Sequence, residues 1–156
     1  ALWAYVSLWV YVGIAPGLLS SFRTLLVYGL WIGALCLVGL AGFHFWPTAV
    51  PHVAIDVSAY PGFDILKGVD AAGNACPSLH VATAVFSAIW LDHLLRSSGA
   101  PRWLCAGNWF WVGAIVWSTM ATKQHVALDV AAGLLLAGLF AALSLGGRHG
   151  RAVPSV

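Results

Sequence analysis

Two short stretches carry side chains whose types and spacing suit acid–base and anion-binding chemistry. One is Asn74-Ala75-Cys76-Pro77-Ser78-Leu79-His80. Pro77 fits the first turn of a helix, where its missing N–H costs nothing. The unpaired N–H groups at such a start, with the helix dipole behind them, make an anion site. Ser78 adds a hydroxyl, and His80 falls within the first turn or so. The plainer reading is a Pro-Ser helix start with an incidental histidine.

The other stretch runs from Ser118 through Thr119, Lys123 and His125 to Asp129. His125 and Asp129 are four residues apart, which places both on one helix face. Asp129 lies in an apolar run, where a charge costs about 2.5–3.5 kcal/mol on insertion scales. It therefore needs a partner. A carboxylate bonded to one imidazole nitrogen fixes the tautomer and leaves the other nitrogen as base, nucleophile or ligand. Lys123 brings a positive charge close by. The plainer reading here is a buried ion pair that fixes helix packing. Together the stretches suit phosphoryl transfer, where positioning and charge stabilisation dominate. They contain no Asp/Glu cluster of the kind that holds Mg²⁺.

The elements that must position these groups are helices in a bilayer. Of 156 residues, 61% are hydrophobic and 8% charged, and the mean hydropathy is +0.89. Soluble domains carry about a quarter charged residues. The net charge of +2 is too small to point to nucleic acid. Glu is absent, so acid–base work falls to five Asp and six His. Cys36 and Cys105 lie in apolar stretches as packing residues, and the three cysteines lack metal-type spacing. The chain starts at Ala1, as a fragment or processed form would, and residues 1–20 lack the basic n-region of a signal peptide.

A spanning helix needs about 20 apolar residues. Five segments are expected to be such helices: about 1–20, 24–46, 77–95, 103–122 and 124–146. The fold class is all-α, a polytopic transmembrane bundle, with residues 1–156 as one domain. One connection, about 47–76, is long and rich in Pro and Gly, as functional loops often are. Trp3, Trp31, Trp46 and Trp103 near predicted helix ends suit interfacial anchoring or core. Five helices put Arg23, Arg96, Arg102, Arg148 and Arg151 at one face, and Lys67 and Lys123 at the other. The positive-inside rule makes the arginine face cytoplasmic. Both chemical stretches then face outward, towards the periplasm or exterior if the membrane is a bacterial inner membrane.

In these motifs the sequence resembles the type 2 phosphatidic acid phosphatase superfamily, over roughly residues 40–145. The family's Pro-Ser-Gly-His is matched by Pro77-Ser78-Leu79-His80. Its Ser-Arg, five residues, His, three residues, Asp is matched at Ser118, His125 and Asp129. The Cys-Pro-Ser-Leu-His and Lys-Gln-His-x-x-x-Asp forms look most like the inositol phosphorylceramide and sphingomyelin synthase-like branch. The departures are specific. The first family motif, Lys, six residues, Arg-Pro, is reduced to Phe45-Trp46-Pro47-Thr48. Thr119 stands at the family's Arg, and Leu79 at its Gly.

The resemblance implies a phosphatase or phosphotransferase acting on a lipid or isoprenoid phosphate, with no cofactor or metal. His125 would attack phosphorus, Asp129 orient it, and His80 protonate the leaving alcohol. Ser78, the backbone at Leu79, Lys123 and Lys67 would hold the phosphoryl oxygens, the lysines replacing lost arginines. His44 lies near the outer end of the second helix and suits packing or the interface. Two rival classes are a non-catalytic membrane protein that keeps the fold, and a haem-binding bundle ligated by His80 and His125.

Overall fold

Apolar runs broken by short polar connections become helices wherever the chain is described. A computed structural model describes residues 1–48, 76–121 and 127–146. These hold five helices and no strand: α1 (Leu2–Gly17), α2 (Phe22–Phe45), α3 (Leu79–Ser97), α4 (Arg102–Ala121) and α5 (Ala127–Gly146). By length and composition, α2 and α5 could each cross a membrane. α1 is apolar but shorter, 16 residues or about 24 Å.

Serines set two of the starts. Ser21 accepts the Thr24 N–H at 3.1 Å and opens α2. Ser78 does the same for Val81 at 3.3 Å and opens α3. This corrects the expected start at Pro77. A serine that satisfies an otherwise unpaired amide is the stronger N-cap, so Pro77 stands just outside the helix. Between α3 and α4 the chain closes on itself. Gly99 takes a left-handed φ of 69°, and the Ala100 N–H reaches back to the Leu95 carbonyl at 2.9 Å.

Helix α3 is the centre and packs on all four others. Ala82, Ala84, Ser87 and Ala88 let neighbours approach closely, and Phe86 and Trp90 fill the remaining space. Polar side chains pin the register. The Tyr28 and Ser87 hydroxyls bond at 2.8 Å. Asn108 donates to the Ala88 carbonyl at 3.0 Å and accepts from Tyr11. Trp90 donates to Ser144 at 3.0 Å. Bonds of this kind between apolar helices are worth about 0.6 kcal/mol on average, so they specify alignment more than they stabilise. With the further contacts of His80 to Tyr5, Leu79 to Gly39, Ser78 to Asp129 and Trp111 to Ser7, they set α3 parallel to α1 and α5, and antiparallel to α2 and α4.

The outer surface is apolar. Leu30, Leu37, Phe110, Leu135 and Leu139 are all exposed. Trp3, Trp46 and Trp103 are exposed near helix ends, as interfacial anchors would be. Trp31 differs: it stands inside α2 and packs edge-on against Phe140 at 5.9 Å. Cys105 is buried and Cys36 half-buried, in keeping with packing roles.

Candidate active site

The α3 start gathers the sequence-predicted residues that fall among the described ones. An α-helix turns about 100° per residue. Ser78, Leu79 and His80 therefore face three different neighbours, α5, α2 and α1.

Ser78 faces α5. Its backbone N–H donates to the Asp129 carbonyl at 3.1 Å, and its side chain is fully buried while capping Val81. One turn further along α5, Gly133 lies against the Ser78 carbonyl, where a Cβ would sit 2.7 Å from that oxygen. Only glycine allows the two backbones this close. Asp129 is buried, at 3% exposure, in the first turn of α5, where the helix dipole favours a carboxylate. The Cys76 thiol lies beside the Asp129 side chain. Burial chiefly, and then the nearby Asp129 carboxylate, push the thiol above its ordinary range. The Cys76 N–H is held in turn by the Thr48 hydroxyl at 2.9 Å.

Leu79 faces α2 and lies over Gly39, where a Cβ would collide with its side chain. Gly42 similarly makes room for Pro77, whose Cδ would stand 3.2 Å from a Cβ there. The leucine at the family's glycine position is thus housed by a glycine on the opposing helix.

His80 faces α1. Its Nε2 is 3.1 Å from the Tyr5 hydroxyl, the two rings are 5.1 Å apart, and Trp9 meets the imidazole edge-on at 6.2 Å. Tyr5 is itself buried. Neither aromatic is legible as a site residue in the sequence, because α1 aromatics read equally well as interfacial anchors.

Ser118 and Thr119 are both fully buried at the end of α4. Their hydroxyls donate to the Ile115 and Val116 carbonyls at 2.6 and 2.8 Å. Asn108 meets Ala88, and α4 runs antiparallel to α3, so ten residues on Ser118 reaches the depth of Ser78, ten residues back. His125, Lys123 and Lys67 lie outside the described residues. His44, at the end of α2, is exposed and stacks edge-on with Phe45 at 5.1 Å. Among the described residues, no three of His, Cys, Asp and Glu gather in a way that could hold a metal ion.

At one end of α3 the described residues thus place a helix start capped by serine, a buried carboxylate beside it, and a histidine held by a tyrosine on α1. The family comparison gives this arrangement a class. The chain belongs to the PAP2 superfamily, whose model matches residues 1–143. Membership suggests phosphatase-type activity on phosphate substrates. Neither a curated protein nor a solved structure gives a significant match.

Proposed function

We propose that this chain is a membrane-embedded phosphatase or phosphotransferase that acts on a lipid phosphate, or on an isoprenoid phosphate or diphosphate, through a phosphohistidine. The observation that carries this reading is the α3 start, which bears Ser78 and His80 and whose Ser78 N–H is held by the carbonyl of the buried Asp129. The neutral nitrogen of His125 attacks phosphorus as the P–O bond to the lipid alkoxide breaks. His80 gives its proton to that oxygen. His80 then takes a proton from water or a lipid hydroxyl, whose oxygen displaces the imidazole from phosphorus. Asp129 orients the His125 ring throughout and offsets its charge. The α3 start, through Ser78 and the Leu79 amide, holds phosphoryl oxygens with Lys123 and Lys67.

The bilayer as solvent is supported by two long apolar helices whose outer faces remain uncovered, Leu30 and Leu37 on α2 and Leu135 and Leu139 on α5. Arg23, Arg96 and Arg102 stand at the end of the bundle opposite Ser78. That asymmetry supports an outward-facing site in an inner or plasma membrane. Within the superfamily, Cys76-Pro77-Ser78-Leu79-His80 favours the synthase-like branch and hence a lipid hydroxyl as acceptor.

The test is phosphate release by the purified full chain from a panel of lipid phosphates, with acid-labile phosphate trapped on the protein. Loss of turnover in His80→Ala and His125→Ala is expected, with trapping lost in His125→Ala. Normal turnover in either variant would sink its assigned role. A second reading, a fold retained without activity, is favoured by Thr119. It stands where the family has an arginine and is buried, with its hydroxyl turned to its own helix. Silence on every lipid phosphate, together with no binding of a phosphate analogue, would select that reading. The haem alternative is disfavoured by the Tyr5 hydroxyl on the His80 nitrogen that an iron would need.

A further inference from the structure

At the opposite end of α3 lies a cavity of about 510 Å³, lined by Arg96, Ala100, Arg102, Cys105, Ala106 and Trp109. Helix α3 has 19 residues, so this cavity lies about 27 Å from Ser78 and is separate from the site there. We propose that it binds the phosphodiester headgroup of an anionic membrane lipid. The proposal rests on the reading of the chain as a membrane protein.

Three features support it. Arg96 and Arg102 both line one cavity, and among the described residues its lining holds no carboxylate. Arg96 is also held in place: its Nε donates to Asp92 at 2.6 Å, while its side chain stays 67% exposed. That bond uses one edge of the fork and leaves the Nη groups to face an anion. Two arginines and one carboxylate leave a net charge of +1, which matches a singly charged phosphodiester.

The lining is also graded in polarity. Arg102, Cys105, Ala106 and Trp109 follow at spacings of three, four and seven residues, so they share one face of α4. Charge stands at the helix start, and about 10 Å further along stands a half-exposed indole. A free anion has no use for that apolar lower half. A lipid does: its phosphate meets the arginines while the chain beneath it covers Ala106 and Trp109. Finally, the turn that joins the two arginine-bearing helices is fixed by Gly99 and by the Ala100–Leu95 bond, so the site is already shaped.

The test uses the full chain, purified in detergent and stripped of lipid, with retained lipid counted by native mass spectrometry. Phosphatidylglycerol, phosphatidylcholine and inorganic phosphate are the probes. The chain should retain phosphatidylglycerol over phosphatidylcholine. Arg102→Gln should lower that retention about five-fold, and Arg102→Lys should restore most of it. Arg102→Gln leaves the Arg96–Asp92 pair untouched, and an unchanged melting temperature certifies its fold. Equal retention of both lipids, or full phosphatidylglycerol retention by Arg102→Gln, would overturn the proposal. Displacement of the lipid by inorganic phosphate would overturn the lipid as the occupant and leave a plain anion site. Phosphate release at the outer site is measured separately, so its failure is distinguishable. A chain that stays soluble and monomeric without detergent would instead remove the membrane reading itself.

Discussion

The Tyr5 hydroxyl stands 3.1 Å from Nε2 of His80, so a residue near the start of the chain holds the ring assigned to proton transfer. A hydrogen bond to one ring nitrogen selects the tautomer and fixes the orientation of the other.

Tyr5→Phe keeps the ring packing and removes that bond. Turnover should fall about ten-fold while KM stays nearly constant, because ring placement matters in the transition state rather than in binding. The pH profile of turnover should change shape. Steady-state kinetics on the best lipid phosphate checks this, and an unaltered profile with unaltered turnover would reduce Tyr5 to packing.

Gly133 allows a close backbone approach between α3 and α5. Gly133→Ala would put a methyl 2.7 Å from the Ser78 carbonyl and push the two helix starts apart, at a cost of about 1–3 kcal/mol. Asp129, one turn away, would move with α5, and activity should fall with stability. Gly138 has open space around its Cβ position, so Gly138→Ala should be neutral or mildly stabilising. Melting curves of the two variants make the comparison. Equal effects would dismiss the close approach.

The Leu79 and Gly39 pair predicts a compensating double variant. Gly39→Ala should destabilise, because the methyl collides with the Leu79 side chain. The penalty should shrink when Leu79→Gly is added, with a coupling of about 0.5–3 kcal/mol in a double-mutant cycle. Additive effects would mean that the leucine shifts aside without cost.

Cys76 gives a pH prediction. Burial first, then Asp129, hold its thiol neutral beyond the ordinary thiol range. Its folded pKa is raised, so its contribution to stability is intact below the ordinary thiol value and is lost as pH climbs through the raised one. Maleimide labelling in a Cys36→Ser, Cys105→Ser background should therefore be slow near neutrality and accelerate only at high pH. Asp129→Asn removes a negative charge and should move that profile part-way down, leaving the burial effect behind. A profile indifferent to Asp129 would contradict the contact.

Much of this arrangement is legible in the sequence. Long apolar runs imply five helices because a bilayer-length stretch has few other structures open to it. Ser78, His80 and Asp129 are legible because polar groups in such runs need a reason. The boundary at Ser78 is less so, since Pro77 fits a first turn equally well until the serine is seen to cap Val81. Tyr5 and Trp9 are invisible because their pairing with His80 spans more than seventy residues and has no periodicity. Gly39 and Gly133 read as ordinary small residues, since only the facing atoms reveal why nothing larger fits.

The division of Ser78, Leu79 and His80 among three neighbouring helices has an evolutionary consequence. A string such as Pro-Ser-Gly-His looks like a local word, yet each letter is constrained by a distant stretch of chain. Glycine can give way to leucine at position 79 when the facing position on α2 is small, as Gly39 is here. Such exchanges should appear across homologues as correlated size changes between two columns far apart in an alignment. Family members that have drifted from the familiar word should then remain detectable through the pair.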